Sequence, residues 1–447
     1  MRHCRILLLN HLGATLSCRI ELHNGIRIAT ENVPGSQSVS IGVLIDAGPQ
    51  DDPADKLGLA HFTEHAFFQG TSNRDAVDIA RLMDVAGGQM GAFTARDYTC
   101  FYANVLSDYC PYALDLLGDI LLNSTFPEEN LEREKQAILH EIDNACDNHY
   151  DRIHSRLKEL IWPESALGRS ILGPRDSVQN FTREDVIYFA YDNYLPDRMI
   201  IAAAGDLDHD HFVAQTQDAF WRMLGKSISR EPGACPNRSG VALEHASVSQ
   251  AYFALGIPAG NYTDENRYLL HLLNCLLGGG MSSRLFYSLR EERGLVYHIH
   301  SEVHAYRDAG LLVIEGSTTP EQLLHVLSLI LLELYQLAAF EKPVDAEELW
   351  KAKMQIRGQH LLASECLHTR MSRILTQELY FGQRIEDENI LDAIDSIDFH
   401  ALKEYAGEKI LPALGELGVA VIGPASLPEN MQTEIEELTH QFQLVPG

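Results

Sequence analysis

Two histidines and a glutamate lie close together in an apolar segment near the start of the chain. His61 and His65 are four residues apart, and Glu64 lies three residues after His61. On a helix, residues four apart share a face, so both imidazoles can reach one metal ion while Glu64 lies beside them. This is the inverted form of the zinc-protease helix motif, and it predicts two metal ligands and a general base.

The motif needs a further ligand, because two histidines on a helix are more often a satisfied feature of a core, and catalytic zinc usually takes three protein ligands. In the segment that begins at Glu128, helical periodicity places Glu134 and Glu141 on the same stripe as Leu131 and Ile138. Buried carboxylates call for a cation, an arginine partner or a dense hydrogen-bond network. Imidazole and carboxylate ligands suit zinc, with manganese or cobalt as conceivable substitutes.

Hydrophobic periodicity also predicts the elements that must position these residues. The first half is predicted to contain strands at 38–47, 90–95 and 98–106 and helices at 58–69, 74–86, 109–122 and 128–160. The second half repeats that order, with strands at 251–257, 296–304 and 310–318 and helices at 265–277, 282–293, 320–338 and 344–363. This repeat indicates an internal duplication. Paired strands beside helices favour an α+β fold of two sandwich halves, each with a largely antiparallel sheet.

The pattern divides the chain into four segments. They are an N-terminal extension at 1–18, a catalytic zinc-binding domain at 19–224, a linker at 225–242 and a second domain of similar fold at 243–447. The linker is indicated by its turn-forming residues, among them Pro232 and Gly233. In the second half, the place of the histidine motif is taken by the segment around His271, which lacks the ligand set. We therefore expect no zinc in the second half.

Composition indicates a globular protein with a large acid excess. Apolar residues make up 45% and charged residues 22% of the chain. The net charge of −28 argues against nucleic acid or an anionic membrane as the main partner and favours a neutral or basic ligand. The eight cysteines contain no CxxC pair, and Asn10 and His11 interrupt the N-terminal apolar run, so we expect a cytoplasmic protein. No uninterrupted apolar run is long enough to span a membrane.

On these residues the chain resembles the pitrilysin family of inverted-zincin metallopeptidases (M16), specifically its short bacterial and mitochondrial-processing-type members. The interval from His65 to Glu141 is similar to the one between that family's motif and its distal glutamate. The resemblance covers nearly the whole chain and includes Asn24-Gly25, Tyr194 to Pro196, and Gly205 to Leu207. It implies an enzyme that hydrolyses peptide bonds with a bound zinc ion.

The resemblance also implies a role for each residue of the candidate centre. His61, His65 and Glu141 would bind one zinc ion per chain. Glu64 would take a proton from water and deliver it to the leaving amine. Glu134 would support the centre from outside the ligand set.

The segment 87–99 is predicted to be an edge strand entered through a glycine turn. An edge strand can bind an extended peptide by strand addition, which makes Gly91, Ala92, Phe93 and Thr94 candidate substrate-binding residues. The family commonly has Asn or Ser where this chain has Gly91. The family's side-chain contact to substrate at that position is therefore in question.

Arg290 and Tyr297 in the second half resemble an Arg and Tyr pair seven residues apart in the same family. The resemblance implies that this pair anchors the peptide and stabilises the tetrahedral oxyanion. The alternative is a solvated arginine at the end of a helix and a packed strand tyrosine.

Two further patterns in the second half carry less weight. Gly278-Gly279-Gly280 lacks the lysine and the strand context of a phosphate-binding loop. His298, His300 and His304 are evenly spaced on a predicted strand and could chelate a second metal, but solvated strand histidines are commoner.

The sequence thus predicts a zinc metalloendopeptidase that cleaves extended or unstructured peptides, with peptide processing among its roles. The alternative is a non-proteolytic assembly subunit of the same fold, and a hydrolase of a non-peptide substrate is a third. The expected partners are a peptide substrate and a second chain, in a homodimer or in a heterodimer with a related protein. The acid excess of the chain favours a basic peptide.

Overall fold

The computed structural model describes residues 16–443 apart from residues 86, 228–232 and 234. Most of the extension predicted at 1–18 and part of the linker predicted at 225–242 therefore lie outside the described residues. The chain forms two compact units, which are described separately. The first comprises segments Met1–Asp143, Ser170–Glu231 and Leu361–Arg384, and the second comprises Asn144–Arg169, Pro232–His360 and Ile385–Gly447.

The described part of the chain contains sixteen α-helices. In chain order they are α1 (Leu59–Ala66), α2 (Ala76–Val85), α3 (Cys110–Asn123), α4 (Glu128–Asp147), α5 (His149–Ile161), α6 (Arg175–Asn180), α7 (Arg183–Asn193), α8 (His209–Phe220), α9 (Arg267–Leu277), α10 (Leu323–Ala338), α11 (Ala346–Ala363), α12 (Leu367–Phe381), α13 (Asp387–Ser396), α14 (Phe399–Tyr405), α15 (Leu411–Ala413) and α16 (Met431–Gln443). A short π-helix spans Phe286–Glu292, within the helix predicted at 282–293.

The first unit contains a six-stranded sheet in the order β1-β2-β6-β3-β5-β4. Its strands are β1 (Leu16–Glu21), β2 (Arg27–Asn32), β3 (Ser38–Ile45), β4 (Gln89–Thr94), β5 (Thr99–Leu106) and β6 (Met199–Gly205). Neighbouring strands are antiparallel except β2 and β6, which run parallel. The strand β4 lies at one edge of the sheet, where its outer backbone groups have no neighbouring strand within the described residues.

The second unit contains a five-stranded sheet in the order β7-β11-β8-β10-β9. Its strands are β7 (Gly240–His245), β8 (Ala251–Ala259), β9 (His298–Ala305), β10 (Gly310–Thr318) and β11 (Gly418–Gly423). The pair β7 and β11 is parallel and the other pairs are antiparallel. This order repeats β2-β6-β3-β5-β4 of the first sheet, so the predicted α+β fold of two similar, largely antiparallel halves is confirmed.

The two units exchange helices between the two halves of the sequence. In the first unit, α12 covers one sheet face and buries Met371 and Leu375 against strand residues such as Ile200. In the second unit, α5 covers the corresponding face and buries Leu157 and Ile161. An apolar sheet face needs such a cover, and in each unit this one face takes it from the distant half of the chain. The domains predicted from the sequence were contiguous, at 19–224 and 243–447, and this exchange of helices was not part of that prediction.

The helix predicted at 128–160 is two helices, and that prediction was wrong at Asn148. This residue has an extended backbone conformation, with φ −79° and ψ 105°, and its side chain accepts a hydrogen bond from the backbone N–H of Tyr150. Asparagine is a preferred N-cap residue because it satisfies an otherwise unpaired N–H of the new helix. The cap therefore ends one helix and begins the next.

One helical segment of the described residues, Pro320–Ala338, is long and apolar enough by composition to cross a membrane. Its part in α10 buries Val326, Leu327, Ile330 and Leu334 in the core of the second unit. Core packing therefore accounts for its apolar composition.

The start of α1 is fixed by a carboxylate and by two glycines. Asp52 accepts hydrogen bonds of 2.7 Å from the backbone N–H groups of Gly58 and Ala60, which the first turn of a helix otherwise leaves unpaired. Gly58 and Gly173 have φ angles of 92° and 71°. A Cβ atom on Gly173 would lie 2.2 Å from the carbonyl oxygen of Leu57, so this close backbone contact excludes any side chain.

We expect Gly173→Ala to lower the free energy of unfolding by roughly 3 kcal/mol or more, because it combines a left-handed backbone with a clash against backbone. Gly35→Ala is the matched control: Gly35 has φ 83°, but its Cβ would meet no atom within 4 Å. The control should lose about 1 kcal/mol. Urea unfolding of both variants measures the difference, and equal losses would show that the contact with Leu57 does not matter.

Candidate metal centre

The helix α1 places three candidate residues in one buried space of the first unit. His61 and Glu64 are only 9% and 6% exposed, and the rings of His61 and His65 have centroids 4.7 Å apart. The helical spacing predicted from the sequence is therefore present, and it turns both imidazoles to the same side.

The helix α4 brings the predicted third ligand to the two histidines. Oε2 of Glu141 lies 3.7 Å from Nε2 of His61 and 3.8 Å from Nε2 of His65. The three candidate ligand atoms all lie within 4.8 Å of one another. Ligand atoms about 2.0–2.2 Å from a tetrahedral zinc ion lie about 3.3–3.6 Å apart, so this separation and the donor set fit zinc.

Glu134 lies about two helical turns of α4 before the third ligand and contacts His65 from the other side. Nδ1 of His65 is 3.1 Å from Oε2 of Glu134, so an N–H at this nitrogen donates to the carboxylate and leaves Nε2 for a metal. The second oxygen of Glu134 accepts a hydrogen bond of 2.8 Å from the amide of Gln69. Glu134 thus fixes the orientation of the His65 ring.

The two histidines differ in their electrostatic surroundings. Burial, with a smaller contribution from the neighbouring His65, lowers the pKa of His61 to about 3, so His61 is neutral at physiological pH. Burial also lowers the pKa of His65, but the hydrogen bond to Glu134 and the nearby carboxylates outweigh it and raise the pKa above its ordinary value. A metal ion binds the neutral imidazole, so it competes with protons more strongly at His65 than at His61 as the pH falls.

Glu64 is placed to exchange a proton beside the candidate ligands. Its carboxylate accepts a hydrogen bond of 2.7 Å from the hydroxyl of Thr94 at the end of β4. Burial raises the pKa of Glu64, and the hydrogen bond from Thr94 offsets part of that rise. A general base is most effective when its pKa approaches the working pH, so burial shifts Glu64 in the useful direction.

The candidate substrate-binding residues lie along the edge strand β4. Ala92 packs against the core on the side of α1, whereas Phe93 is 37% exposed. Gly91 pairs with Tyr102 of β5, and a Cβ atom on Gly91 would lie 2.8 Å from the Tyr102 hydroxyl oxygen. The ring of Tyr102 therefore occupies the space that an Asn or Ser side chain at position 91 would take.

Arg290 and Tyr297 lie together in the second unit. The guanidinium carbon of Arg290 is 5.4 Å from the centre of the Tyr297 ring and 4.7 Å from that of Phe286. Tyr297 is 80% exposed, so its hydroxyl is not used in the core of this unit. The packed strand tyrosine considered from the sequence is thereby ruled out.

Three residues that support α1, Glu134 or β4 were not singled out from the sequence. Asp52 holds the start of α1, Gln69 holds Glu134, and Tyr102 lies over Gly91. The Asp52 cap could have been sought as an acidic residue just before the predicted helix. The other two depend on contacts between elements that sequence periodicity does not specify.

Two family models match the chain. The model described as Insulinase (Peptidase family M16) matches residues 27–175, and the model described as Peptidase M16 inactive domain matches residues 180–356. An uncharacterized zinc protease of Streptomyces coelicolor is 35% identical over 91% of this chain and 89% of its own length. The uncharacterized zinc protease YmxG of Bacillus subtilis is 33% identical over 91% of this chain and 98% of its own length.

Solved structures show the same fold. A peptidase M16 inactive domain from Pseudomonas fluorescens matches with a TM-score of 0.85 and 19% identity, covering 92% of this chain and 99% of its own. A protease from Helicobacter pylori matches with a TM-score of 0.82 and 19% identity, covering 92% of this chain and 100% of its own.

We expect Gly91→Asn to lower the free energy of unfolding by about 1–3 kcal/mol, because the added side chain overlaps the ring of Tyr102. In a chain that carries Tyr102→Ala, the same substitution should cost much less, since the space is then open. Urea unfolding of the two single variants and the double variant gives the coupling energy. A coupling energy of zero would mean that Tyr102 does not occupy the space beside Gly91.

Proposed function

The chain belongs to peptidase family M16, whose relatives are named zinc proteases, and on that premise we propose that it is a zinc metalloendopeptidase that cleaves extended or unstructured peptides. The observation that carries this proposal is the set of three donor atoms from His61, His65 and Glu141 beside the buried carboxylate of Glu64. Family membership agrees with the resemblance expected from the sequence. The roles of the individual residues are part of the proposal.

In this proposal His61, His65 and Glu141 hold one zinc ion. When bound, zinc supplies a Lewis acid that polarises the scissile carbonyl and makes water more acidic. Glu64 accepts a proton from water at its carboxylate and later returns it to the leaving amine. Thr94 donates to one oxygen of Glu64 and so keeps the carboxylate turned toward the ligand set. Glu134 is a positioning residue that acts through His65.

The edge strand β4 supports a peptide as the substrate. Its outer backbone groups are available for strand addition, and Thr94 at its end contacts the proposed base. Backbone hydrogen bonds recognise an extended chain without reading its sequence, which suits unstructured peptides. The net charge of −28 favours peptides that carry lysine and arginine.

Arg290 and Tyr297 are the proposed substrate contacts of the second unit. The arginine keeps the tyrosine ring in place by a cation–π contact, while the exposed hydroxyl stays available to donate a hydrogen bond. Such a donor would bind the peptide and stabilise the oxyanion that forms during hydrolysis.

The proposal extends to the setting in which the enzyme works. We expect a cytoplasmic peptidase, with peptide processing among its roles, that acts as a homodimer or as a heterodimer with a related chain. The alternative of a non-proteolytic assembly subunit would need no base beside the ligand set, and the placement of Glu64 favours the peptidase.

Glu64→Gln should retain zinc and reduce kcat on a quenched, arginine- and lysine-rich peptide by at least about 100-fold, since general-base catalysis contributes roughly 10²–10⁴. Zinc content by mass spectrometry and peptide cleavage are measured on the same samples. Glu128→Gln, at an exposed position in the first turn of α4, is the matched control and should keep full activity. An active Glu64→Gln variant would exclude Glu64 as the base, and a zinc-loaded parent chain without activity, alone or with related chains, would support the assembly subunit.

Tyr297→Phe should lower kcat/KM for the same peptide by about 10-fold or more without changing zinc content, because it removes a hydroxyl donor and keeps the ring beside Arg290. Tyr287 is 63% exposed in the same unit, and Tyr287→Phe serves as the matched control. Equal kinetics in both variants would rule out the proposed contact between Tyr297 and the substrate.

A further inference from the structure

A second group of histidines and carboxylates lies in the second unit, on the sheet face that α5 covers. The strand β9 contributes His298, His300 and His304 together with Glu302, and its partner β10 contributes Glu315. His154 of α5 joins them from the facing helix, since it pairs with Glu315. These side chains belong to one compact unit and lie in a different place from the segment around His271 that corresponds to the catalytic motif.

Glu315 is the constraint that organises this group. Glu315 is only 5% exposed. It is more deeply buried than Glu302, the other carboxylate of the group. Its ion-pair partners within the described residues are the imidazoles of His154, His298 and His300. A buried carboxylate is stabilised by a cation or by a dense hydrogen-bond network, and imidazole supplies a cation only when it is protonated. A divalent metal ion bound by the same imidazoles supplies the cation at neutral pH.

The distances within this group resemble those of the candidate catalytic centre. Oε1 of Glu315 lies 3.3 Å from Nδ1 of His300 and 3.8 Å from Nε2 of His298, and these two nitrogens are 3.0 Å apart. Ligand atoms of a tetrahedral zinc ion are separated by about 3.3–3.6 Å. The three separations of 3.0, 3.3 and 3.8 Å bracket this spacing, so the three donor atoms lie around one point that a small divalent ion could occupy.

We propose that His298, His300 and Glu315 form a second binding site for a divalent transition-metal ion. Imidazole and carboxylate donors suit zinc, nickel or cobalt and disfavour magnesium and calcium, which prefer oxygen ligands. The proposal departs from the expectation that the second half holds no zinc, and it is independent of the proposed peptidase activity.

The remaining members of the group, His154, His304 and Glu302, lie beside the three proposed ligands. His154 contacts Oε2 of Glu315 and so leaves Oε1 toward the two strand histidines. Hydrogen bonds from outside the ligand set commonly fix metal-binding carboxylates in this way. His304 and Glu302 are a less suitable ligand pair, because Nε2 of His304 lies 2.5 Å from Oε1 of Glu302, which is a hydrogen bond that leaves no space for an ion between them.

The site is open to solvent on one side. The side chains of His298 and His300 are 45% and 35% exposed, whereas Glu315 is 7% exposed by its side chain. An ion can therefore enter from solvent past the histidines and meet the buried carboxylate at the base. A fourth position remains for water, as in zinc sites with three protein ligands.

The test is a zinc titration of the metal-free full chain in competition with a chromophoric chelator. The parent chain should bind two ions, and the double variant His298→Ala/His300→Ala should bind one. His325→Ala removes an exposed histidine of α10 in the same unit and should leave two ions bound. Circular dichroism and urea unfolding verify that each variant is folded.

A variant without the two histidines of the candidate catalytic centre gives the complementary measurement. The variant His61→Asn/His65→Asn should lose one ion and keep the other, which separates failure of this proposal from failure of the proposed peptidase centre. Loss of all bound zinc in His61→Asn/His65→Asn would overturn the second site, whatever the number of ions in the parent chain. Two ions in His298→Ala/His300→Ala, or loss of the second ion in His304→Ala alone, would overturn its assignment to these residues.

Discussion

The candidate metal centre depends on the meeting of α1 and α4, which brings two imidazoles and three carboxylates into one partly buried space. Glu64, Glu134 and Glu141 place three carboxyl groups beside the two histidines, while burial lowers the pKa of His61 and keeps that imidazole neutral. Such an arrangement costs several kcal/mol unless a cation is present, on the general scale of buried charges. Binding of that ion and stability of the first unit are therefore linked.

Other residues of the first unit keep α1 and α4 in this arrangement. Asp52 fixes the first turn of α1, the contact of Gly58 with Gly173 fixes where that helix starts, and Gln69 fixes the second oxygen of Glu134. These groups limit the rotation of the two imidazoles and of the base, which a catalytic site requires to within fractions of an ångström.

The sequence predicted the local features well because each depends on a short period. The spacing of His61 and His65 on α1, and of Glu134 and Glu141 on α4, follows from 3.6 residues per turn. The exchange of α5 and α12 could not be predicted, since nothing in their periodicity indicates which sheet they cover. Periodicity also joined α4 to α5, although the cap at Asn148 was visible as a residue type. The hydroxyl contact of Thr94 with Glu64 was missed for the same reason as the exchange: it joins distant segments.

The two sheets show how one architecture can hold different chemistry at equivalent places. Both units place a hairpin at the edge of the sheet, β4 with β5 and β9 with β10, and both cover one face with a helix from the other half of the chain. In the first unit that face carries Gly91 and the Tyr102 ring, and the metal centre lies on the opposite face. In the second unit the same face carries histidines around Glu315. The duplicated edge hairpin therefore has the same backbone pairing in both units. The face of the sheet on which polar residues lie can still differ between them. For this reason the second unit has imidazoles where the first unit has aromatic packing.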